Sequence, residues 1–149
     1  MHKGLVSGWV VVAAAVLAPS AWAADATPVG LWRTWDDKTG EAKSEVRISD
    51  NAGVLSGKVE KLVRKGADQN AVCKPCTDDR KDQPLLGLEI IRGAKKAEGK
   101  AVWEDGKILD PESGSTYTLR LTPVEDGKKL DVRGSIGPFG RTQTWTRVE

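Results

Sequence analysis

The tightest constraint on the fold is a pattern of period two that follows a sharp reversal. Between Gly106 and Thr122 the chain reads as strand, turn and strand. Ile108 is the apolar centre of the first strand, and Asp110-Pro111-Glu112-Ser113-Gly114 turns the chain back. Proline presets the backbone for a turn, aspartate hydrogen-bonds the amides ahead of it, and glycine accepts a left-handed exit. Tyr117, Leu119 and Leu121 then alternate with Thr116, Thr118, Arg120 and Thr122. That alternation buries one face and solvates the other, as in an antiparallel sheet.

The same rhythm runs through most of the chain. Strands are predicted over residues 30–35, 43–49, 54–63, 85–92 and 100–103, around Ile108, from Thr116, around Leu130 and Val132, and over 141–148. Polar or glycine-rich stretches separate them, among them residues 36–40, 50–53, 93–99, Glu104-Asp105-Gly106, 123–127 and 134–140. Gly57 marks a bulge or a close approach. Residues 64–84 break the rhythm, and within them 78–83 could form one helical turn. A length of 149 residues suits one domain. Eight or nine short strands without a long helix imply an all-β sandwich or barrel.

Residues 1–23 read as a secretory signal, with Met1-His2-Lys3 as basic head, an apolar run over 5–17 and Ala21-Trp22-Ala23 as cleavage site. The run is shorter than the about 20 apolar residues of a spanning helix, which disfavours an anchor. Residues 24–149 are then one exported domain, periplasmic or secreted, with no stable membrane span after cleavage. His2, the one histidine, departs with the signal. A Ser-His-Asp triad, a Cys-His pair and a histidine metal site are therefore ruled out. No cofactor and no metal is called for. A net charge of +2, without basic runs interleaved with aromatics, argues against nucleic acid.

Cys73 and Cys76 have three readings. A zinc site needs four ligands, and two thiols supply half of them. A redox pair belongs at the junction of a strand and a helix, which this loop lacks. A local disulfide in an oxidising compartment suits the export signal best, and its small ring would shape the loop more than stabilise the fold. The carboxylates Asp36, Asp37, Asp78, Asp79, Asp82, Asp110 and Glu112 could in principle supply an acid and a base. They fall in turn-like stretches, where aspartate serves the backbone.

An up-and-down barrel closes by pairing its first and last strands, which removes the sheet edges. Gly30-Leu31-Trp32 would then lie beside Trp145-Thr146-Arg147, with the Arg147 guanidinium over the Trp32 indole. Gly30-x-Trp32 with a late arginine resembles the closed end of lipocalins. Five motifs in order extend the likeness: Gly30-Leu31-Trp32, Cys73-x-x-Cys76, Ile108-Leu109-Asp110-Pro111-x-x-Gly114-x-x-Tyr117, Arg133-Gly134-x-Ile136-Gly137 and Gly140-Arg141-Thr142-x-x-Trp145-x-Arg147. Together they resemble a family of small exported bacterial proteins catalogued as a domain of unknown function. The resemblance implies a lipocalin-like β-barrel and brings no catalytic activity with it. Ser135 stands where the resemblance leads one to expect an aromatic ring.

A small barrel is either packed or just wide enough for one ligand. The expected function is accordingly binding of a small, partly apolar ligand at the open end, by Trp35, Trp103, Tyr117, Arg120, Gln143 and Trp145. Gly30, Trp32, Asp110, Pro111, Gly114 and Arg147 would be structural. The alternative is a filled barrel that docks an envelope protein, and a carboxylate-based hydrolase ranks last.

Overall fold

Strands form where the alternation runs uninterrupted, and they end where glycine, proline or aspartate breaks it. A computed structural model describes residues 4, 8, 10–15 and 26–149. The basic head and the cleavage site of the expected signal lie outside the described residues. Eight strands follow in chain order: β1 (Gly30–Trp35), β2 (Ala42–Asn51), β3 (Val54–Leu62), β4 (Glu89–Lys96), β5 (Trp103–Leu109), β6 (Thr116–Val124), β7 (Lys129–Ile136) and β8 (Phe139–Arg147). Each pairs antiparallel with its neighbours in sequence, and β1 meets β8, so the sheet closes into an up-and-down barrel. Among the described residues the helical content is one 3-10 turn, Glu125–Gly127, and no helix is long and apolar enough to cross a membrane.

Several strand boundaries differ from the sequence expectation. Asp50-Asn51, Pro123-Val124, residues 134–136 and Phe139-Gly140 read as turns but belong to β2, β6, β7 and β8. Residues 100–102 read as strand but precede β5. Residues 93–96 belong to β4, although they read as part of a turn; the strand passes through Gly93 with a φ of 79°. Glu104-Asp105-Gly106 also reads as a turn, yet it is a bulge inside β5. The register against β6 shifts between Trp103 and Gly106, and Asp105 takes a φ of 64°. Bulges and turns recruit the same residue types, so composition does not separate them. Residues 85–88 are not strand. The Leu88 amide donates to the Leu85 carbonyl in a turn that buries the Leu88 side chain. Residues 78–83, expected as a helical turn, form two successive reverse turns.

The inner face is packed. Val46, Ile48, Leu55, Ile91, Leu119, Leu121 and Leu130 are buried and belong to one apolar cluster with Trp32 and Trp145. Burying a large aliphatic or aromatic side chain contributes about 1.5–3 kcal/mol, so this cluster supplies most of the driving force for closure.

One end is sealed by a short list of contacts. Trp32 is fully buried, and its indole Nε1 donates to the Pro28 carbonyl at 2.7 Å. The Arg147 guanidinium lies 4.2 Å from the Trp32 ring centroid. It donates to the carbonyls of Gly127 at 2.5 Å, Val29 at 2.9 Å and Thr27 at 2.9 Å. Gly30 makes this possible, because a Cβ there would collide with the guanidinium, and its φ of 143° suits glycine alone. Burial lowers the Arg147 pKa, but arginine stays charged, so the cation supports both the ring and the three carbonyls.

Replacing Arg147 with alanine should lower stability by about 2–3 kcal/mol, since charge-assisted hydrogen bonds and a ring contact go together. Lysine should recover less than half, because it lacks the planar fork. Chemical denaturation of both variants checks this, and an unchanged midpoint in Arg147→Ala would refute the contact.

Candidate functional site

Alternate connections of an up-and-down barrel share an end. The turns β1–β2, β3–β4, β5–β6 and β7–β8 therefore gather opposite the Trp32 plug. The β3–β4 connection, residues 63–88, is the long one. Cys73 and Cys76 form a disulfide within it, and both are buried. A bridge between Val72 and Pro84 closes the base of the loop, and Cys73 exchanges hydrogen bonds of 2.8 Å with Gln83 and Asp82. Arg80, also buried, grips Asp78 with Nε at 3.1 Å and donates to the Glu89 carbonyl at 2.9 Å, which fastens the loop to β4.

The loop docks on the β5–β6 turn. Cys73 Sγ lies 3.7 Å from the Pro111 carbonyl oxygen. Gly114 has a φ of 76°, and a Cβ on it would collide with the Pro75 carbonyl. The turn is fixed from within by Asp110, whose carboxylate accepts from the Glu112 amide at 2.9 Å and the Ser113 hydroxyl at 2.9 Å. Ion pairs then lace the neighbouring loops together: Arg64 to Asp36 at 2.8 Å, Arg64 to Glu112 at 3.8 Å and Lys43 to Glu112 at 3.3 Å. One side of this end is thus covered.

The side formed by β6, β7 and β8 is not. Leu119 faces Gly134, Leu130 faces Trp145 and Val132 faces Gln143, so the inner positions of this sheet are fixed by register. Continuing outward along the same face, Tyr117 and Gln143 are half-buried, and Ile136, Phe139 and Arg141 are exposed. Tyr117 lies across Gly134, where a Cβ would stand 3.2 Å from that of the tyrosine. Gln143 donates to Asp37 at 2.8 Å, and Arg141 pairs with the same carboxylate at 3.2 Å. The Trp145 indole, buried behind them, sits 3.5 Å from the Gln143 carbonyl oxygen.

Of the six residues expected to line a pocket, Gln143 and Trp145 come together here, and Tyr117 shares their inner face further along the sheet, on β6. Trp103 faces inward but starts β5 at the sealed side, nearly buried, with Lys96 Nζ 6.0 Å from its ring centroid. Trp35 lies on the outer face, where its Nε1 donates to Thr146 Oγ1 at 3.1 Å across the seam. Arg120 is also outward, paired with Glu104 at 3.5 Å. Asp37 is expected there only as a candidate acid or base, and Ile136, Phe139 and Arg141 are not among the expected site residues. Their signal was available, since Phe139, Arg141 and Gln143 extend the alternation that places Trp145 inside. Two surface recesses, of about 330 and 220 Å³, are lined by residues such as Arg80 and Arg92, or Arg120 and Arg133.

Three of the candidate carboxylates, Asp36, Asp78 and Asp79, are held as anions. Backbone amides of Thr39 and Lys38, with Arg64, bring Asp36 down to about 2, and Arg80 does the same to Asp78. Arg92 lowers Asp79. A general acid needs the opposite shift. Among the described residues no three His, Cys, Asp or Glu side chains group as a metal site.

A closed ring of eight antiparallel strands, plugged by tryptophan and arginine at one end and ringed by loops at the other, defines a lipocalin-like barrel. Among solved structures it is similar to protein HP1028 from Helicobacter pylori, which belongs to the lipocalin family. The TM-score is 0.71 over 83% of this chain and 84% of that one, at 21% identity, a likeness of fold. Residues 30–147 match the family described as "Uncharacterized protein conserved in bacteria (DUF2147)", and the chain belongs to that family. No match was found among curated proteins. The disulfide and the bacterial family are compatible with an exported protein.

Two outcomes are expected. Gly114→Ala should cost about 2 kcal/mol and raise amide exchange at Cys73 and Gln83, because the loop loses its seat on the turn. Unaltered exchange there would contradict the docking. Asp36 is depressed from 3.8 to about 2 on folding, so its contribution is complete above the unfolded value and fades as pH falls through the folded one. The stability difference between the native protein and Asp36→Asn should therefore be constant above about pH 5 and shrink towards pH 2. Urea titrations across that range test it, and a gap that persists undiminished would overturn the assignment.

Proposed function

We propose that this chain is an exported, non-catalytic binding protein that takes a small, partly apolar ligand at the open end of its barrel. The observation that carries the reading is the uncovered inner face of β6–β8. Tyr117 and Phe139 offer apolar surface there, and Gln143 and Arg141 stand beside them as donors. Binding sites of this kind combine an apolar lining with a few placed polar groups. Because Leu119, Leu121 and Trp145 fill the space behind, the ligand would lie across this shelf rather than in a deep cup. Its chemistry follows from the lining: a ring or short chain with a polar group towards Gln143 and Arg141, whose donors are shared with Asp37. Export is supported by the signal-like residues 1–23 and by the disulfide, which needs an oxidising compartment.

A second reading, docking of an envelope protein, draws on a different observation. The pairing of β8 with β1 stops at Thr146 and Arg33, which leaves the backbone edge of residues 140–144 without a strand partner. An extended segment could add there as a ninth strand.

Titration with medium-chain fatty acids and aromatic carboxylic acids, followed by tryptophan fluorescence, separates the two. A saturable change is expected, weakened about tenfold by Tyr117→Ala through loss of the ring surface offered to the ligand. A flat response across that panel would end the ligand reading.

A further inference from the structure

The β7–β8 hairpin ends in a tip that neither neighbouring strand pairs with. β7 loses its partner on β6 after Ser135 opposite Thr118, and β8 loses β1 after Thr146 opposite Arg33. Beyond these points the two strands pair only with each other, ending in the cross-strand pair Ile136 and Phe139. Ile136 is 60% exposed and Phe139 79%, the two most exposed large apolar side chains within residues 26–149. Between them lie Gly137 and Pro138, so the tip Ile136-Gly137-Pro138-Phe139-Gly140 carries no charge.

A belt of arginine stands directly behind the tip. Arg133 and Arg120 are cross-strand partners on the outer face. Like charges placed opposite one another in a sheet repel. Arg120 has Glu104 at 3.5 Å and Arg141 has Asp37 at 3.2 Å, whereas Arg133 has no ion pair among the described residues. Its guanidinium lies over Gly140, where a Cβ would be 2.6 Å from it. Arg120, Arg133 and Ser135 border the 220 Å³ recess, which reaches Gly137 at the tip; Glu104 and Asp105 close its β5 side. The hairpin itself carries one acid, Asp131, against Lys129, Arg133, Arg141 and Arg147.

We propose that this hairpin docks the protein on a bilayer surface rich in anionic phospholipid, with Ile136 and Phe139 entering the acyl boundary and Arg133, Arg141 and Arg120 meeting lipid phosphates. A convex apolar tip suits a fluid surface better than it suits a rigid pocket. The spacing fits as well. Arg133 is three residues from the tip, about 10 Å along a strand, and interfacial segments sink about 5–10 Å below the headgroups. The arginines would then lie at phosphate level, where each basic side chain adds attraction to an anionic leaflet. This inference shares Phe139 and Arg141 with the ligand reading but does not rest on it, because Ile136, Arg133 and Arg120 have no part in that shelf.

The test is co-sedimentation of the purified protein with vesicles of phosphatidylcholine alone and of phosphatidylcholine with one third phosphatidylglycerol. Binding is expected to the anionic vesicles only, and to fall several-fold when salt is raised, because exposed charges are then screened. Phe139→Ser should weaken it about tenfold, and Arg133→Gln about fivefold. Both sites are at the surface, and circular dichroism verifies that the barrel persists. Tyr117→Ala should leave vesicle binding unchanged, which keeps this experiment distinct from the ligand titration. Absence of binding to anionic vesicles, or binding that survives Phe139→Ser together with Ile136→Ser, would overturn the proposal.

Discussion

The barrel depends on one cation held inside a ring of acceptors. Arg147 touches the Trp32 indole, and its nitrogens satisfy carbonyls from two segments, the lead-in to β1 and the β6–β7 connection. A tryptophan alone would fill the end of the barrel but leave those carbonyls facing apolar surface. An arginine alone would be a costly buried charge. Together they convert an awkward place, where the lead-in to β1, the end of β8 and a turn converge, into a sealed floor. Gly30 is the geometric condition for this arrangement, since any side chain there would displace the guanidinium.

The opposite end is built by another logic. Its elements are held by a disulfide, a buried arginine and a set of exposed or half-exposed ion pairs. Each of those pairs contributes little alone. Their value lies in position, because they tie three connections over one side of the barrel and leave the other side open. The long β3–β4 loop is therefore not an unstructured insertion. It is a second layer packed on the β5–β6 turn, with its half-cystines continuous with the apolar core. The asymmetry that results is what gives the molecule a candidate binding face.

Much of the fold was legible in the residues. The alternation through Tyr117, Leu119 and Leu121 located β6, and Gly30-x-Trp32 with Arg147 implied closure. What the sequence blurred were places where one residue type serves two structures. Asp105 and Gly106 read as a turn and proved to be a bulge; Leu85 and Leu88 read as strand and proved to be a turn that buries one leucine. The site was less legible, for a related reason. Period two says which residues share a face, but not how far along a strand the barrel stops being covered. Trp103 and Tyr117 both face inward, yet one is nearly buried beside Lys96 and the other half-buried near the mouth. Trp35 stands three residues after the inward Trp32, so the alternation itself puts it on the outer face, where its indole donates to Thr146.

The seam between first and last strands has two paired positions, whereas β6 and β7 share seven. Topologically the molecule is a cylinder; mechanically it is nearer to a rolled sheet clasped at its base. Fluctuations that part the roll should start at Trp35 and Thr144 and run downward until they meet the clasp, so the interior can breathe along one line while the rest of the wall stays intact.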